Sequence, residues 1–248
     1  MRRLFLAPLA LVLLIGCGGD DDKQPAAQTG TTPAQTATAP ATTTAPAPDP
    51  ADDSQVAQAA TLRLADLPPG WAADDDEGDD DDETSRIRCK EIQRAREAVS
   101  ARKSSPDFEE GETKQVQNTV YLFPDEPGAK KAFDGIASRE TRECMARELA
   151  AALRADLDDD NVEGAGEIET AQVAVDRVAD DAMGSRLVVP MREKRSGLRF
   201  GLHVDTVFVR DGRSVSILTL MSALTPFDDA LRSELTKTAG RRLAEAQG

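Results

Sequence analysis

The chain is short of aromatic residues, histidine and cysteine, and these shortages exclude several kinds of site. Aromatic residues make up 4% of the 248 residues, with one Trp and one Tyr, so little surface is available for stacking against sugars. One His and three Cys cannot supply the three or four nitrogen and sulfur ligands of a zinc centre. We therefore predict no metal site.

Basic residues are outnumbered by acidic ones. The 30 Lys and Arg residues face 45 Asp and Glu residues, so the net charge is −15 and the isoelectric point is about 4.6. Such a surface repels a phosphate backbone, because both are negatively charged. The composition excludes nonspecific nucleic-acid binding, and we expect no nucleic-acid partner.

Motifs of catalysis and of nucleotide binding are missing as well. The chain contains no G-x-x-x-x-G-K-[ST] loop, no G-x-G-x-x-G loop, no G-x-S-x-G elbow and no C-x-x-C pair. His203 and Asp205 share one face of a predicted strand, so a Ser–His–Asp arrangement can be drawn. Because no serine stands in a strained turn before a helix, we interpret His203 as a solvent-facing or hydrogen-bonded strand residue. The prediction is a protein that is not an enzyme and needs no cofactor.

The first 17 residues, MRRLFLAPLALVLLIGC, predict export and lipidation. Arg2 and Arg3 precede an apolar run from Leu4 to Ile15 that is too short to span a bilayer, which takes about 20 residues. The run ends in Leu14-Ile15-Gly16-Cys17, which resembles the lipobox of bacterial lipoproteins, where the cysteine thiol is acylated and becomes the first mature residue. An ordinary signal peptide with an incidental cysteine is the alternative. We predict a protein anchored by lipid at Cys17 to the extracytoplasmic face of the cell membrane.

A disordered stalk is predicted from residue 18 to residue 54. Ala, Thr and Pro supply 23 of the 30 residues from Gln24 to Asp53, with no large apolar residue among them. Such a segment cannot bury enough apolar surface to offset the entropy of ordering. Its prolines favour extended conformers of about 3.1 Å per residue, so we expect it to hold residues 55–248 off the membrane.

Acidic residues are concentrated in one run of the folded part. Nine of the ten residues from Asp74 to Glu83 are acidic, and a basic stretch from Arg86 to Lys103 follows. The run fails as a calcium loop, because placing Gly78 at the sixth position puts Ala73 first and Thr84 last, where carboxylate ligands are required. We interpret the run as a solvated loop; weak cation binding is left open.

The pattern of residues 55–248 predicts an α+β domain with an antiparallel sheet. Two alternating runs flank Asp211-Gly212, a dipeptide suited to a tight hairpin turn, between Leu198 and Ala223. Further strands are predicted over Val116–Phe123, Glu167–Val175 and Arg186–Met191. Helices are predicted over Arg86–Arg102, Gly128–Ala137, Arg142–Ala155 and Phe227–Ala246.

Two cysteines remain once Cys17 carries lipid. Outside the cytoplasm, Cys89 and Cys144 are expected to pair if geometry allows. The bond would close a loop of 55 residues, which the chain-entropy model translates into about 4 kcal/mol of stabilisation. Two free buried thiols or a redox pair are the alternatives. Because there is no C-x-x-C motif, we predict a structural disulfide.

The order of motifs resembles a known family. A lipobox and a Thr/Pro/Ala stalk precede Leu64–Trp71 (LADLPPGW), the join from Val120 to Phe133, Cys144, and the hairpin from Val207 to Leu218. This order resembles actinobacterial lipoproteins with a sensor domain similar to the extracellular domain of the mycobacterial receptor kinase PknH, and more loosely the LpqN lipoproteins. The resemblance implies a strongly curved antiparallel sheet with helices packed on one face and a cleft for a small ligand. It implies no activity and carries over no ligand-contacting residue.

Two departures from that family matter. The kinase sensor has two disulfides where residues 55–248 can form one, and we expect neither a kinase domain nor a spanning helix before this domain.

Three functions follow from the residues. The first is a membrane-anchored, sensor-like module that captures a small molecule, lipid or wall fragment on the concave face of the sheet. The second is an interaction or envelope-structural lipoprotein without a small ligand, whose contact surface is the acidic loop beside the basic helix. The third is a hydrolase using two carboxylates, which requires two buried carboxyl groups close together in a cleft.

Overall fold

The computed structural model describes residues 50–74, 87–157 and 161–247, in which five α-helices accompany one antiparallel sheet. The helices are α1 (Pro50–Ala60), α2 (Lys90–Glu97), α3 (Glu126–Ala137), α4 (Arg139–Leu157) and α5 (Asp229–Gln247). The strands are β1 (Ala72–Ala73), β2 (Ala101–Ser104), β3 (Phe108–Glu110), β4 (Lys114–Leu122), β5 (Val162–Gly164), β6 (Glu169–Val173), β7 (Asp181–Glu193), β8 (Arg199–Asp211) and β9 (Ser214–Ala223). The predicted α+β class is confirmed. Within these residues, no helix has both the length and the apolar character needed to cross a membrane.

Long antiparallel strands form the centre of the sheet. The strand order is β1-β3-β4-β9-β8-β7-β5, with β2 beside β4 and β6 beside β7. The hairpin predicted between Leu198 and Ala223 is β8–β9, and Asp211 and Ser214 are its last pair. The turn is therefore Gly212-Arg213, one residue later than predicted. Gly212 has φ +50°, a conformation that glycine adopts without steric cost.

Helices pack on both faces of this sheet, not on one as the resemblance implies. Along β8, Val207 and Val209 belong to the apolar cluster that includes α1 and α5, whereas Phe208 belongs to the cluster of α2 and α3. Neighbouring strand residues point to opposite faces, so the two clusters lie on opposite sides. We call the side of α1 and α5 the first face and the other side the second face. Because Val207, Phe208 and Val209 are all buried and apolar, both faces need a cover.

The helix α4 joins the second face. Ala150 packs against Leu187, Val189 and Met191 of β7, together with Val204 of β8. Val204 lies four residues from Phe208 along β8, and therefore on the same face.

The helix α1 begins inside the segment that composition assigns to the stalk. Asp53 is 1% exposed, and Arg213 donates to its Oδ1 at 2.6 Å. Ala57 and Ala60 follow at helical spacing and are buried against the first face. The folded part therefore starts by residue 50, not at residue 55. Residues 1–49, which include Cys17, lie outside the described residues.

The helix α2 is shorter than the predicted helix Arg86–Arg102. It ends at Glu97, and Ala101–Ser104 form β2, which pairs with Thr119–Leu122 of β4. The sequence ARKS has no strand pattern of its own, so it is the partner strand that makes it extended.

Candidate functional site

An open groove of about 670 Å³ lies on the first face, between α1 and the edge of the sheet formed by β1, β2 and β3. Phe108 lies in this groove and is 1% exposed, whereas Leu64 at its rim is 42% exposed. The outer side of α1 contributes Ser54, Gln55, Gln58 and Ala59. The groove combines an apolar base with polar walls, which is the usual character of a small-molecule site.

Asn118 holds the two walls of the groove together from below. It is fully buried; its Oδ1 accepts from Leu62 N at 3.0 Å, and its own N–H donates to Ser105 Oγ at 3.0 Å. Its Nδ2 donates to Ser216 Oγ at 2.7 Å. One residue of β4 thus fixes the segment after α1 and strand β9 through its side chain, and the segment after β2 through its backbone N–H. Such a satisfied buried network restricts the groove to one shape.

A second contact fixes the rim. Asp66 accepts from Arg63 N at 2.8 Å and from Arg242 Nε at 2.7 Å, which holds the short 3₁₀ turn Leu64–Asp66 against α5. Burial opposes ionisation of Asp66, but the hydrogen bonds from Arg242 and from the Arg63 N–H outweigh it and lower its pKa. The carboxylate is therefore charged and fully engaged.

The lining of the groove carries positively charged side chains. Arg63 and Lys103 line it, and among residues 50–74, 87–157 and 161–247 no Asp or Glu does. Hydroxyl groups of Ser54 and Thr61 are the other polar atoms beside the glutamine amides, and Thr61 donates to Gln58 O at 2.9 Å.

The register of β8 and β9 brings a Ser–His–Asp set onto the first face. His203 lies opposite Ser222, and Asp205 lies two residues further along β8. Asp205 is engaged by arginines: it accepts from Arg186 Nε and Nη2, both at 2.6 Å, and from Arg232 Nη1 at 2.8 Å. Within residues 50–74, 87–157 and 161–247, neither His203 Nδ1 nor Ser222 Oγ has a hydrogen-bond partner. The contacts between nucleophile, base and orienting carboxylate that a triad requires are not made here.

The environment of His203 favours its neutral form. Burial lowers the pKa of His203, the positive charge of Arg186 lowers it further, and the attraction of Asp205 acts in the opposite direction. His203 is thus a partly buried strand residue with one unsatisfied nitrogen, which differs from the solvent-facing or hydrogen-bonded residue expected.

The predicted disulfide is formed. Cys89 and Cys144 are bonded and join the residue before α2 to the first half of α4, on the second face. Trp71 and Tyr121 are both buried, and Trp71 packs against Phe227 with ring centroids 6.2 Å apart.

No group of three or more His, Cys, Asp or Glu in the described part of the chain is placed to hold a metal ion. The acidic run contributes Asp74 there, and residues 75–83 lie outside the described residues. Burial and the nearby charges of Asp74 and Asp107 raise the pKa of Glu109.

No protein-family model matches the chain, and no curated protein sequence is similar to it.

Sequence reasoning missed the groove. Its α1 wall lies across the predicted stalk boundary, and Lys103 of its other wall lies in β2, whose first residues fall in the predicted helix Arg86–Arg102. One signal was present: Asp53, Ala57 and Ala60 recur at i, i+4 and i+7 and are the buried side of α1.

Proposed function

We propose that this protein is a lipid-anchored extracytoplasmic binding protein, a sensor-like module without catalytic activity. Cys17 carries the anchor, the stalk spaces the domain from the membrane, and the groove beside α1 takes a small ligand. Ligand occupancy is passed to an envelope partner. The motif order that resembles the actinobacterial sensor lipoproteins supports the same assignment.

One observation carries this proposal: the groove is open, whereas the sheet faces are packed with helices. A ligand site on a concave sheet face would compete with the apolar clusters of α1 and α5 or of α2, α3 and α4. The groove at the β1–β2–β3 edge has about 670 Å³ of space and polar groups that converge on it. That size falls in the range of small-molecule sites, roughly 300–1,000 Å³.

The test is native mass spectrometry of the full chain, exported by an actinobacterial host and purified in detergent. We expect a discrete adduct that is lost on gentle activation. Ala59 lines the groove, so Ala59→Trp should remove the adduct by filling the space. Ala244 is exposed on α5 and does not line the groove, so Ala244→Trp is the matched control and should keep it.

Two outcomes contradict the binding role. An adduct that survives Ala59→Trp places the ligand elsewhere. A bare protein in every preparation favours the alternative, an interaction or envelope-structural lipoprotein without a small ligand, which crosslinking to envelope proteins would then address.

The anchor has its own test. Cys17→Ser removes the thiol that receives the lipid, so the protein should move from the membrane fraction to the soluble fraction. Cys17→Ala should behave in the same way. Continued membrane retention of both variants would exclude lipidation at this position.

A further inference from the structure

We propose that the groove binds an acidic saccharide, whose carboxylate or phosphate is held by Lys103 and Arg63 and whose hydroxyl groups are held by Gln55 and Gln58. This inference rests on the proposed function, because it names the ligand class of the same groove. Its basis is the charge and the hydrogen-bonding character of the lining.

The charge of the groove is opposite to that of the chain. The whole chain has a net charge of −15, yet the residues of the lining that the structure describes include Arg63 and Lys103 and no carboxylate. Two of the carboxylates near the α1 wall are matched by arginines, and the third, Asp52, is exposed and is not among the described residues that line the groove. Asp53 is paired with Arg213 at 2.6 Å, and Asp66 is paired with Arg242 at 2.7 Å. The positive charge of Lys103 and Arg63 is therefore not cancelled by these two acids.

The carboxylates of Asp107 and Glu110 on the β3 side are engaged by other side chains, and neither is among the described residues that line the groove; Glu110 accepts from Lys114 Nζ at 2.6 Å. Asp107 neighbours Phe108, which faces the groove, so Asp107 points to the second face. There it accepts from Gln115 Nε2 and Gln117 Nε2, both at 2.8 Å. An anion in the groove consequently meets cations and neutral dipoles, which favours its charged form.

The two cations suit an oxyanion. Lysine offers a compact charge on a flexible stem, and arginine offers a planar fork that matches carboxylate and phosphate oxygens. Lys103 projects from β2 and Arg63 follows α1, so they come from the two different walls. An anion placed between them would bridge the walls.

The glutamine amides indicate the rest of the ligand. Gln55 and Gln58 are exposed and three positions apart on α1, so their side chains are neighbours. Each amide both donates and accepts, which is the requirement for binding hydroxyl groups that do the same. Leu64 and Pro106 add exposed apolar surface at the groove, against which the C–H face of a sugar ring can pack.

The experiment is titration calorimetry of the full chain in detergent with trigalacturonic acid and with its methyl ester. The two probes have the same size and hydroxyl groups, and only the acid is charged. We expect the acid to bind at least about tenfold more tightly than the ester. Glucose 6-phosphate and glucose form a second pair, which distinguishes phosphate from carboxylate as the preferred anion.

Charge reversal locates the site. Lys103→Glu and Arg63→Glu should each weaken binding of trigalacturonic acid at least about tenfold, because each replaces attraction by repulsion. Lys131 is an exposed lysine on α3, which packs on the second face, so Lys131→Glu is the matched control and should leave the affinity unchanged.

The outcomes separate the ligand class from the binding role. Equal binding of acid and ester, equal weakening by all three charge reversals, or no binding of any acidic probe at millimolar concentration would each overturn the acidic ligand. If a neutral adduct is present and is lost in Ala59→Trp, the binding role stands while the ligand class is wrong. If neither adduct nor probe binds, both proposals fail.

Discussion

On the first face of the sheet, α1 and α5 are fixed by arginine–carboxylate pairs, whereas on the second face a disulfide joins the residue before α2 to α4. The ionic contacts are Arg213–Asp53 at 2.6 Å for α1, and Arg232–Asp205 at 2.8 Å and Arg242–Asp66 at 2.7 Å for α5. The covalent contact is Cys89–Cys144. Apolar clusters lie beneath both layers.

The difference follows from how far each helix is from its neighbours along the chain. α2, α3 and α4 lie in one stretch of 68 residues, from Lys90 to Leu157, so one bond from Cys89, just before this stretch, to Cys144 in α4 constrains all three. α1 and α5 come from opposite ends of the described chain, and they meet only when the sheet is complete. Apolar packing is non-directional, so directional hydrogen bonds between charged groups fix the positions of α1 and α5 on the sheet.

Breaking the covalent side should have the largest effect. Cys89→Ala with Cys144→Ala opens a loop of 55 residues and should lower the free energy of unfolding by about 4 kcal/mol. Urea denaturation of the full chain, compared with the unreduced parent, measures it. A loss below about 1 kcal/mol would mean that the packing of α2, α3 and α4 alone holds the second face.

Removing the charge of Asp205 on the first face should lower the free energy of unfolding slightly less than removing the disulfide. The side chain is 0% exposed, so Asp205→Asn leaves the largely buried Arg186 and Arg232 with the exposed Asp229 as their remaining countercharge, at about 3 kcal/mol. Replacing all three, with Arg186→Met, Asp205→Leu and Arg232→Met, should destabilise less than the single change, because no unpaired charge remains. Urea midpoints of the two proteins compare them directly, and the opposite order would mean that the network itself provides net stability.

The first face should also respond to pH through His203, the one histidine of the chain. Because the folded-state pKa of His203 is lowered below its ordinary value of about 6.5, the unfolded chain takes up the proton first as pH falls. The contribution of neutral His203 is complete above about pH 6.5 and is lost as pH falls through the folded-state pKa. We expect a loss of stability between pH 7.5 and pH 5 that is smaller than the loss in Asp205→Asn.

The single imidazole makes this test clean. Its NMR titration gives the folded-state pKa directly, and urea denaturation from pH 7.5 to 5 gives the stability change. His203→Gln should flatten the curve in that interval, where other side chains with ordinary pKa values change charge little. An unshifted or raised NMR pKa would contradict the environment of burial and Arg186 described above.

The smallest effect on stability is expected for an exposed ion pair that belongs neither to the arginine–carboxylate pairs of the first face nor to the disulfide. Lys130 and Asp134 are 2.9 Å apart on α3, and both side chains are more than half exposed. Solvent screens such a pair, so Lys130→Ala should leave the urea midpoint unchanged. A clear shift would show that surface charge on α3 contributes to the second face as the disulfide does.

Some elements could be read from the sequence because their signals are local. The alternation on both sides of Asp211-Gly212 predicts β8–β9, and Ala129, Phe133 and Ile136 at helical spacing predict α3. The end of α2 could not be read in this way. Residues 101–104 continue a helical composition, and only the ladder to β4 makes them a strand.

The position at which the folded part starts also depends on a contact with a residue that is distant in sequence. Composition places Asp53 in a polar, proline-rich stalk, because nothing nearby in sequence buries it. Its partner Arg213 is 160 residues away along the chain and lies in the β8–β9 turn. A carboxylate is favourable in that buried place only when its cation is present.

The sequence by itself determined the α+β class and the choice of partner for Cys89, and it contains the patterns that predict an anchor at Cys17 and a stalk, because each depends on residue type, spacing or elimination among few candidates. The tertiary structure alone decided three features. Helices cover both faces of the sheet, Asp205 accepts hydrogen bonds from arginines, and residues 54–64 and 103–108 line one groove. Each of these depends on the register of β4, β8 and β9, which sets distant side chains within a few ångströms of one another.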